Sequence, residues 1–150
     1  VDDMIHVVIL GSDDNRAESY INNHADTKRQ FICIGDKNAD YIVKRDIKIK
    51  EAVCKCTHLL PQLKPQDCHA LVNADELVLC EHKNQLKVYA EYLTAVFSMR
   101  AKTNAGQPLV IVYVKEITEN VQELITIVGN SLQPEAYSWF QNMVSYKEYQ

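Results

Sequence analysis

The sequence contains a candidate catalytic residue, Glu91, and a set of mostly polar residues that follow apolar runs. Glu91 stands in the stretch NADELVLCEHKNQLKVYAEYLTA (73–95), after an apolar run and a charged segment. A carboxylate there can act as a nucleophile or as a general acid or base. The alternative interpretation is a glutamate on the solvated face of an ordinary helix. The other residues follow apolar runs, and we predict that they bind a ligand: Gly11, Ser12, Asp13, Asp14, Asp36 and Glu81.

Cysteine and histidine residues cluster between positions 54 and 82, but their spacing does not predict a metal site. Zinc sites favour C-x₂₋₄-C and H-x₃₋₅-H spacing, whereas Cys54 and Cys56 are two apart on a predicted helix and face nearly opposite ways. Cys68 and His69 are adjacent, and a catalytic Cys–His pair must meet in space with a third group that orients the base. We therefore predict no metal and no cysteine nucleophile. The cluster consists of Cys54, Cys56, His58, Cys68, His69, Cys80 and His82.

The segment GSDDNRAES (11–19) does not carry a dinucleotide or triphosphate motif. It has one glycine, so it matches neither G-x-G-x-x-G nor G-x-x-x-x-G-K-[ST]. We therefore predict no cofactor held on a glycine-rich loop. Ser12 at a helix N-terminus could bind one anion, and the alternative is that Ser12 or Asp13 caps the first helix.

Length and composition are those of a single globular domain spanning residues 1–150. The formal net charge of −4 argues against nucleic-acid binding, because no basic excess exists to neutralise phosphates. No apolar run approaches the ~20 residues that span a bilayer, so we expect no membrane segment. The five cysteines are an odd number placed among predicted apolar strands and helix faces, which suits a reducing compartment, and we expect the protein to be cytoplasmic. The chain begins with Val1, and we expect it to be a segment of a longer polypeptide.

Apolar runs alternate with helical patterns along the chain. The predicted strands are HVVIL (6–10), QFICI (30–34), ELVLC (76–80) and PLVIVYV (108–114), with ADYIVK (39–44) as a weaker candidate. The predicted helices cover 13–24, 46–60 and 84–101, followed by two C-terminal helices. The first has Thr118 as its N-cap and Gly129 as its C′ stop, and the second has Pro134 in its first turn. This alternation predicts a three-layer flavodoxin-like or Rossmann-like domain of four to five mostly parallel strands with helices on both faces. Ligands bind such sheets outside the carboxyl ends of the strands.

The central third of the chain resembles the nucleoside 2-deoxyribosyltransferase-like proteins, a group that is itself similar to NAD-cleaving TIR-like domains. The likeness is carried by NADELVLC (73–80), YAEYLTA (89–95) and GQPLVIVY (106–113). It implies that Asp75 and Glu91 are catalytic and that the segment after the first strand contacts the base or the ribose. A carboxylate beneath the sugar would stabilise or trap the oxocarbenium-like state of N-glycosidic cleavage.

Two interpretations of function stay open. The first is a domain that binds a nucleoside or nucleotide, with transfer or cleavage of an N-glycosidic bond. The second is a non-catalytic interaction module or a receiver-like signalling module, because Asp13, Asp14, Asp36 and Lys115 resemble the phospho-acceptor pocket of response-regulator receivers. Aromatic residues of the C-terminal helices would then meet a protein partner or a second copy of the chain, and Tyr146 and Tyr149 are the best candidates for that interface.

Overall fold

The computed structural model describes residues 4–10, 15–24, 28–34, 52–55, 69–80 and 86–149. Strands and helices alternate through most of these ranges. The strands are β1 (Ile5–Leu10), β2 (Arg29–Ile34), β3 (Ala52–Lys55), β4 (Glu76–Leu79), β5 (Leu109–Val114) and β6 (Val144–Tyr149). The helices are α1 (Asn15–His24), α2 (His69–Asn73), α3 (Leu86–Thr103), α4 (Thr118–Ser131) and α5 (Pro134–Met143), with a 3₁₀ turn at Lys115–Ile117.

All six described strands belong to one sheet, in the order β3-β2-β1-β4-β5-β6. Every neighbouring pair is parallel. This is the order of Rossmann-like sheets, in which the chain builds outward from β1 in one direction and then from β4 in the other. The order reverses between β1 and β4, which lie side by side at the centre of the sheet.

Helices cover both faces of the sheet. Alternate residues of the central strands point to opposite sides, and both sets are apolar and buried. Val8 and Leu10 of β1 belong to a core with Leu93 and Phe97 of α3, and this core also includes buried residues of α4 and α5. The second core lies on the other face, where α1 packs against β1, β2 and β4; its members include Val7, Ile9, Tyr20, Ile21, Phe31 and Val78. Strands buried on both faces explain the continuous apolar runs of the sequence. The predicted three-layer α/β class is therefore confirmed.

Two strands differ from the sequence prediction, and together they raise the strand count to six. The pattern at 46–60 indicated a helix, but Ala52–Lys55 pairs with β2 as the strand β3. The aromatic pattern near the C-terminus indicated a helix past residue 144, but Val144–Tyr149 pairs with β5 along its whole length. In both places cross-strand pairing overrides a local helical pattern. The weak strand candidate at 39–44 lies outside the described residues.

The ends of the fourth helix also differ from the prediction. Thr118 is the first residue of α4 and not its N-cap, since Ile117 occupies the cap position. The Thr118 hydroxyl instead donates to the Lys115 carbonyl oxygen at 2.8 Å. Gly129 does not stop the helix but lies buried within its last turn, which ends at Ser131. Pro134 does begin α5, as predicted for a residue that has no N–H to donate.

Candidate functional site

The strands that flank the reversal point end side by side at the carboxyl edge of the sheet. In the parallel register, Leu10 of β1 is the partner of both Ile34 of β2 and Leu79 of β4. The Cys80 N–H donates to the Leu10 carbonyl oxygen at 2.9 Å. Leu10, Leu79 and Cys80 are fully buried. The chain therefore leaves the sheet from three adjacent strand ends.

The residues predicted to bind a ligand come directly after these three points in the sequence. Gly11, Ser12, Asp13 and Asp14 follow Leu10; Asp36 is the second residue after Ile34; and Glu81 follows Cys80. All six lie outside the described residues, so their roles stay predictions. The register of the strands fixes only the points from which their segments begin.

Glu91 lies in the second turn of α3, which begins at Leu86. The prediction of a helix at this position is therefore confirmed. The helix on either side of Glu91 is anchored by Ala90, Leu93 and Phe97, each no more than 5% exposed. The Glu91 side chain is not among those described, and its catalytic role stays a prediction.

Asp75 lies at the opposite end of β4, at the amino edge of the sheet. Its carboxylate accepts one hydrogen bond from the His6 N–H and another from the Gln107 side-chain amide, both at 2.9 Å. Its backbone donates to the His6 carbonyl oxygen at 2.8 Å and accepts from the Val110 N–H at 3.0 Å. One residue thus joins the starts of β1, β4 and β5. The structure does not bring Asp75 together with the carboxyl ends of the strands, and these bonds describe a residue that holds the sheet.

Arg100 is the main residue that sequence reasoning missed. It lies on α3 with no exposed surface, and its guanidinium donates to the carbonyl oxygens of Leu71 (3.3 Å), Gln107 (3.4 Å) and Pro108 (3.1 Å). It also lies 5.5 Å from the centroid of the Trp139 ring, within cation–π range. Burial lowers the pKa of Arg100 to about 10, against the opposing attraction of Asp75. The sequence feature that could have predicted its burial is its position three residues after Phe97, on the apolar stripe of the helix.

A second polar cluster at the amino edge joins α1 to the sheet. Arg29 donates to both carboxylate oxygens of Glu76 at 2.9 Å, and the Tyr20 hydroxyl donates to the same carboxylate at 2.9 Å. The His24 ring stacks on Tyr20 with 4.0 Å between centroids. Burial, and then the charge of Glu76, raise the pKa of Tyr20 above its ordinary value. These hydrogen bonds join α1 to the starts of β2 and β4, as those of Asp75 join the starts of β1, β4 and β5.

Tyr149 lies close to the reversal point, although β6 is two strands away from β4. Its hydroxyl is 3.7 Å from the Cys80 sulfur, and its ring meets that of Tyr20 edge-on with 5.0 Å between centroids. Tyr149 is half-buried by these contacts, whereas Tyr146 on the same strand is 41% exposed. Of the two predicted interface tyrosines, Tyr146 therefore keeps more surface for a partner.

Two further observations concern metals and membranes. Among the described residues, no three His, Cys, Asp or Glu side chains are grouped so that they could hold a metal ion. No helix in the described part of the chain has the length and apolar character needed to cross a membrane.

Comparison of the chain with known protein families and with curated proteins finds no significant match in either case. The resemblance of its central third to nucleoside 2-deoxyribosyltransferase-like and TIR-like proteins is therefore still a prediction. The chain has the architecture of a Rossmann-like α/β domain whose central reversal point lies between β1 and β4.

Proposed function

We propose that this domain binds a nucleoside or nucleotide at the carboxyl edge of its sheet, in the crevice between β1 and β4. The observation that carries the proposal is the strand order, which reverses between these two strands. At such a point successive helices leave the sheet toward opposite faces and open a crevice between them, where ligands of α/β sheets bind.

The packing of the helices supports this crevice. Tyr20 and Ile21 of α1 pack against one face of the sheet, and Leu93 and Phe97 of α3 pack against the other. The two helices that follow β1 and β4 therefore diverge from the reversal point. The segments that begin beside Leu10 and Cys80 are both polar and each contains a carboxylate within its first three residues, as suits ribose hydroxyls and the edge of a base.

The proposed chemistry is cleavage or transfer at the N-glycosidic bond, with Glu91 as the reacting carboxylate. The carboxylate would attack the anomeric carbon as the bond to the base breaks, and the electron pair would leave with the base. Water or a second base would then take the sugar from the enzyme and restore the carboxylate. Ser12, Asp13 and Asp14 would orient the substrate.

The test is a ligand screen on the wild-type chain and on Glu91→Gln, with nucleosides, nucleotides and NAD. A ligand at 100 to 1,000 times its dissociation constant should stabilise the fold by about 2.7–4.1 kcal/mol, which raises the unfolding midpoint by several degrees. The rate at which free base is released, measured by chromatography, should be at least about 100-fold lower in Glu91→Gln than in the wild type if the carboxylate reacts.

Glu119→Gln is the matched control, because Glu119 is an exposed glutamate in the first turn of α4. It should bind and react as the wild type does. Binding without base release would reduce the proposal to a binding domain. No stabilisation by any of these ligands would contradict it and favour the non-catalytic interaction module.

A further inference from the structure

A cavity of about 440 Å³ opens on the surface far from the carboxyl edge of the sheet, between α4, α5 and β6. Its lining includes Gly129 and Asn130 from the last turn of α4 and Val144 from the start of β6. Since β6 is parallel to β5 and begins at the amino edge, the cavity lies toward that edge. Its volume is in the range of about 300–1,000 Å³ that small-molecule sites occupy.

Aromatic rings form the walls of this cavity. Tyr137 and Tyr146 are 40% and 41% exposed, the two large hydrophobic side chains that reach solvent to this extent in the described part of the chain. Both line the cavity, as does the buried Phe140. Partly exposed aromatic rings present flat faces on which a second ring system can stack.

The Tyr137 wall is already held in position. Its hydroxyl accepts a hydrogen bond from the Gln141 side-chain amide at 3.1 Å. Its ring lies against Gly129, where an added β-carbon would be 3.4 Å from the Tyr137 Cε1 atom. A ligand would therefore meet a wall that is ordered before binding, which lowers the entropic cost of association.

The polar groups of the cavity are neutral. Asn130 presents a side-chain amide with both a donor and an acceptor, and no described residue hydrogen-bonds to it. The Thr126 hydroxyl donates to the Gln122 carbonyl oxygen at 2.9 Å and keeps its acceptor capacity. Burial raises the pKa of Tyr146 to about 12, so its hydroxyl is protonated at neutral pH. No charged side chain is among the described residues that line the cavity, and a charged ligand would lose its hydration there without a counter-charge.

We propose that this cavity binds a neutral, planar heteroaromatic molecule, stacked on the tyrosine walls and hydrogen-bonded through its edge to Asn130. The aromatic walls select a flat ring system, the Asn130 amide selects an edge with an adjacent donor and acceptor, and the uncharged lining selects against ions. This site is separate from the crevice at the carboxyl edge and does not depend on the proposed function.

The test uses adenine and lumichrome as probes, titrated into ¹⁵N-labelled protein and followed by NMR. Cyclohexanecarboxamide, which has an amide but no aromatic face, is the control probe. We expect saturable shifts of backbone amides in 126–130 and 137–141 with at least one of the two probes and none with the control. Asn130→Leu and Tyr146→Ala should each weaken binding about fivefold or more, since each removes one contact of the size of a hydrogen bond or a ring stack.

Asn142→Leu is the matched control variant, because Asn142 is an exposed asparagine on α5 that does not line the cavity. It should leave the dissociation constant unchanged. The substituted residues are exposed, so thermal unfolding should confirm that each variant folds. Absence of saturable shifts, equal shifts with cyclohexanecarboxamide, or shifts confined to residues beside Leu10 and Cys80 would overturn the proposal. A dimer in sedimentation velocity that Tyr146→Ala dissociates would also overturn it, because the surface would then belong to a second copy of the chain.

Discussion

The two ends of the sheet are built by different means. At the amino edge, charged and polar side chains cross-link the strands: Asp75 joins β1, β4 and β5, and Arg100 holds three carbonyl oxygens. At the carboxyl edge, the described ends of β1 and β4 are apolar and buried, and backbone register holds them together. Among the described residues, these hydrogen-bonded polar side chains lie at the amino edge, whereas the polar segments proposed for function begin at the other end.

The amino edge needs side-chain partners because strand ends leave backbone groups outside the sheet ladder. A buried N–H or C=O without a partner costs roughly 1–3 kcal/mol. Asp75 accepts from the His6 N–H, and Arg100 donates to carbonyl oxygens at the end of α2 and just before β5. If this comparison is right, substitutions at the amino edge change stability, and substitutions at the carboxyl edge change ligand binding.

The largest effect should come from Arg100→Ala. It opens a cavity under Trp139 and leaves the carbonyl oxygens of Leu71, Gln107 and Pro108 without their donor, so we expect unfolding free energy to fall by about 3–5 kcal/mol. Urea unfolding measures this loss of stability.

Arg100→Met restores most of the side-chain volume but not the hydrogen-bond donors, and its unfolding free energy should fall by about 2 kcal/mol. Lys102→Ala on the same helix is exposed and should stay within about 0.5 kcal/mol of the wild type. Equal stability of Arg100→Met and the wild type would show that packing alone matters there.

Asp75→Ala should have the next largest effect. It removes the acceptor of the His6 N–H and of the Gln107 amide, and we expect a loss of about 2–3 kcal/mol in urea unfolding. Asp75→Asn keeps one acceptor oxygen and should lose about 1 kcal/mol. If Asp75→Asn instead abolished base release while leaving stability unchanged, the residue would be catalytic, and the contrast between the two edges would fail.

Tyr20→Phe should show a smaller effect with its own pH dependence. At neutral pH the lost hydrogen bond to Glu76 should cost about 1 kcal/mol. Because the folded pKa of Tyr20 is raised above the value of 10.0 expected when unfolded, its contribution is complete below pH 10 and declines as pH rises above it. Thermal unfolding between pH 9 and 11 should therefore decline less steeply in Tyr20→Phe than in the wild type. If stability fell equally with pH in Tyr20→Phe and in the wild type, Tyr20 would have the same pKa in the folded and the unfolded state.

Glu91→Gln should have the smallest effect on stability. Glutamate and glutamine have similar helix propensities, so the unfolding free energy should stay within about 0.5 kcal/mol of the wild type. Its effect should be on turnover of a bound nucleoside, which the release of free base measures. A loss of more than about 1 kcal/mol would assign Glu91 a structural role like that of Asp75 and would remove the distinction between the edges.

Much of the fold was predictable because the central strands are apolar on both faces. The runs that became β1, β2, β4 and β5 each carry enough Val, Ile and Leu to specify a buried strand, and α1 and α3 show helical spacing. β3 and β6 were not predicted. The residues Trp139, Phe140, Met143 and Val144 fit a helical stripe that continues past the true end of α5. The alternation of VSYKEY (144–149) was the competing signal for a strand.

The candidate site was only partly predictable. The acidic segments could be assigned to strand ends, but Asp75 could not be recognised as a clamp, because its partners His6 and Gln107 are remote in sequence. Arg100 was missed because a charged side chain is normally exposed, although its spacing from Phe97 put it on the buried stripe. The contact of Tyr149 with Cys80 depends on a strand that the local pattern did not reveal.

The α/β class, the central strands and the polar segments that follow them can be recognised from local patterns of residues along the chain. Hydrophobic periodicity is local, and it is strong where a strand is buried on both faces. The strand order, the reversal between β1 and β4 and the separation of Asp75 from the carboxyl edge become visible in the folded domain alone. Those features depend on which strands pair and in which register, and pairing is an interaction between segments that no local pattern encodes.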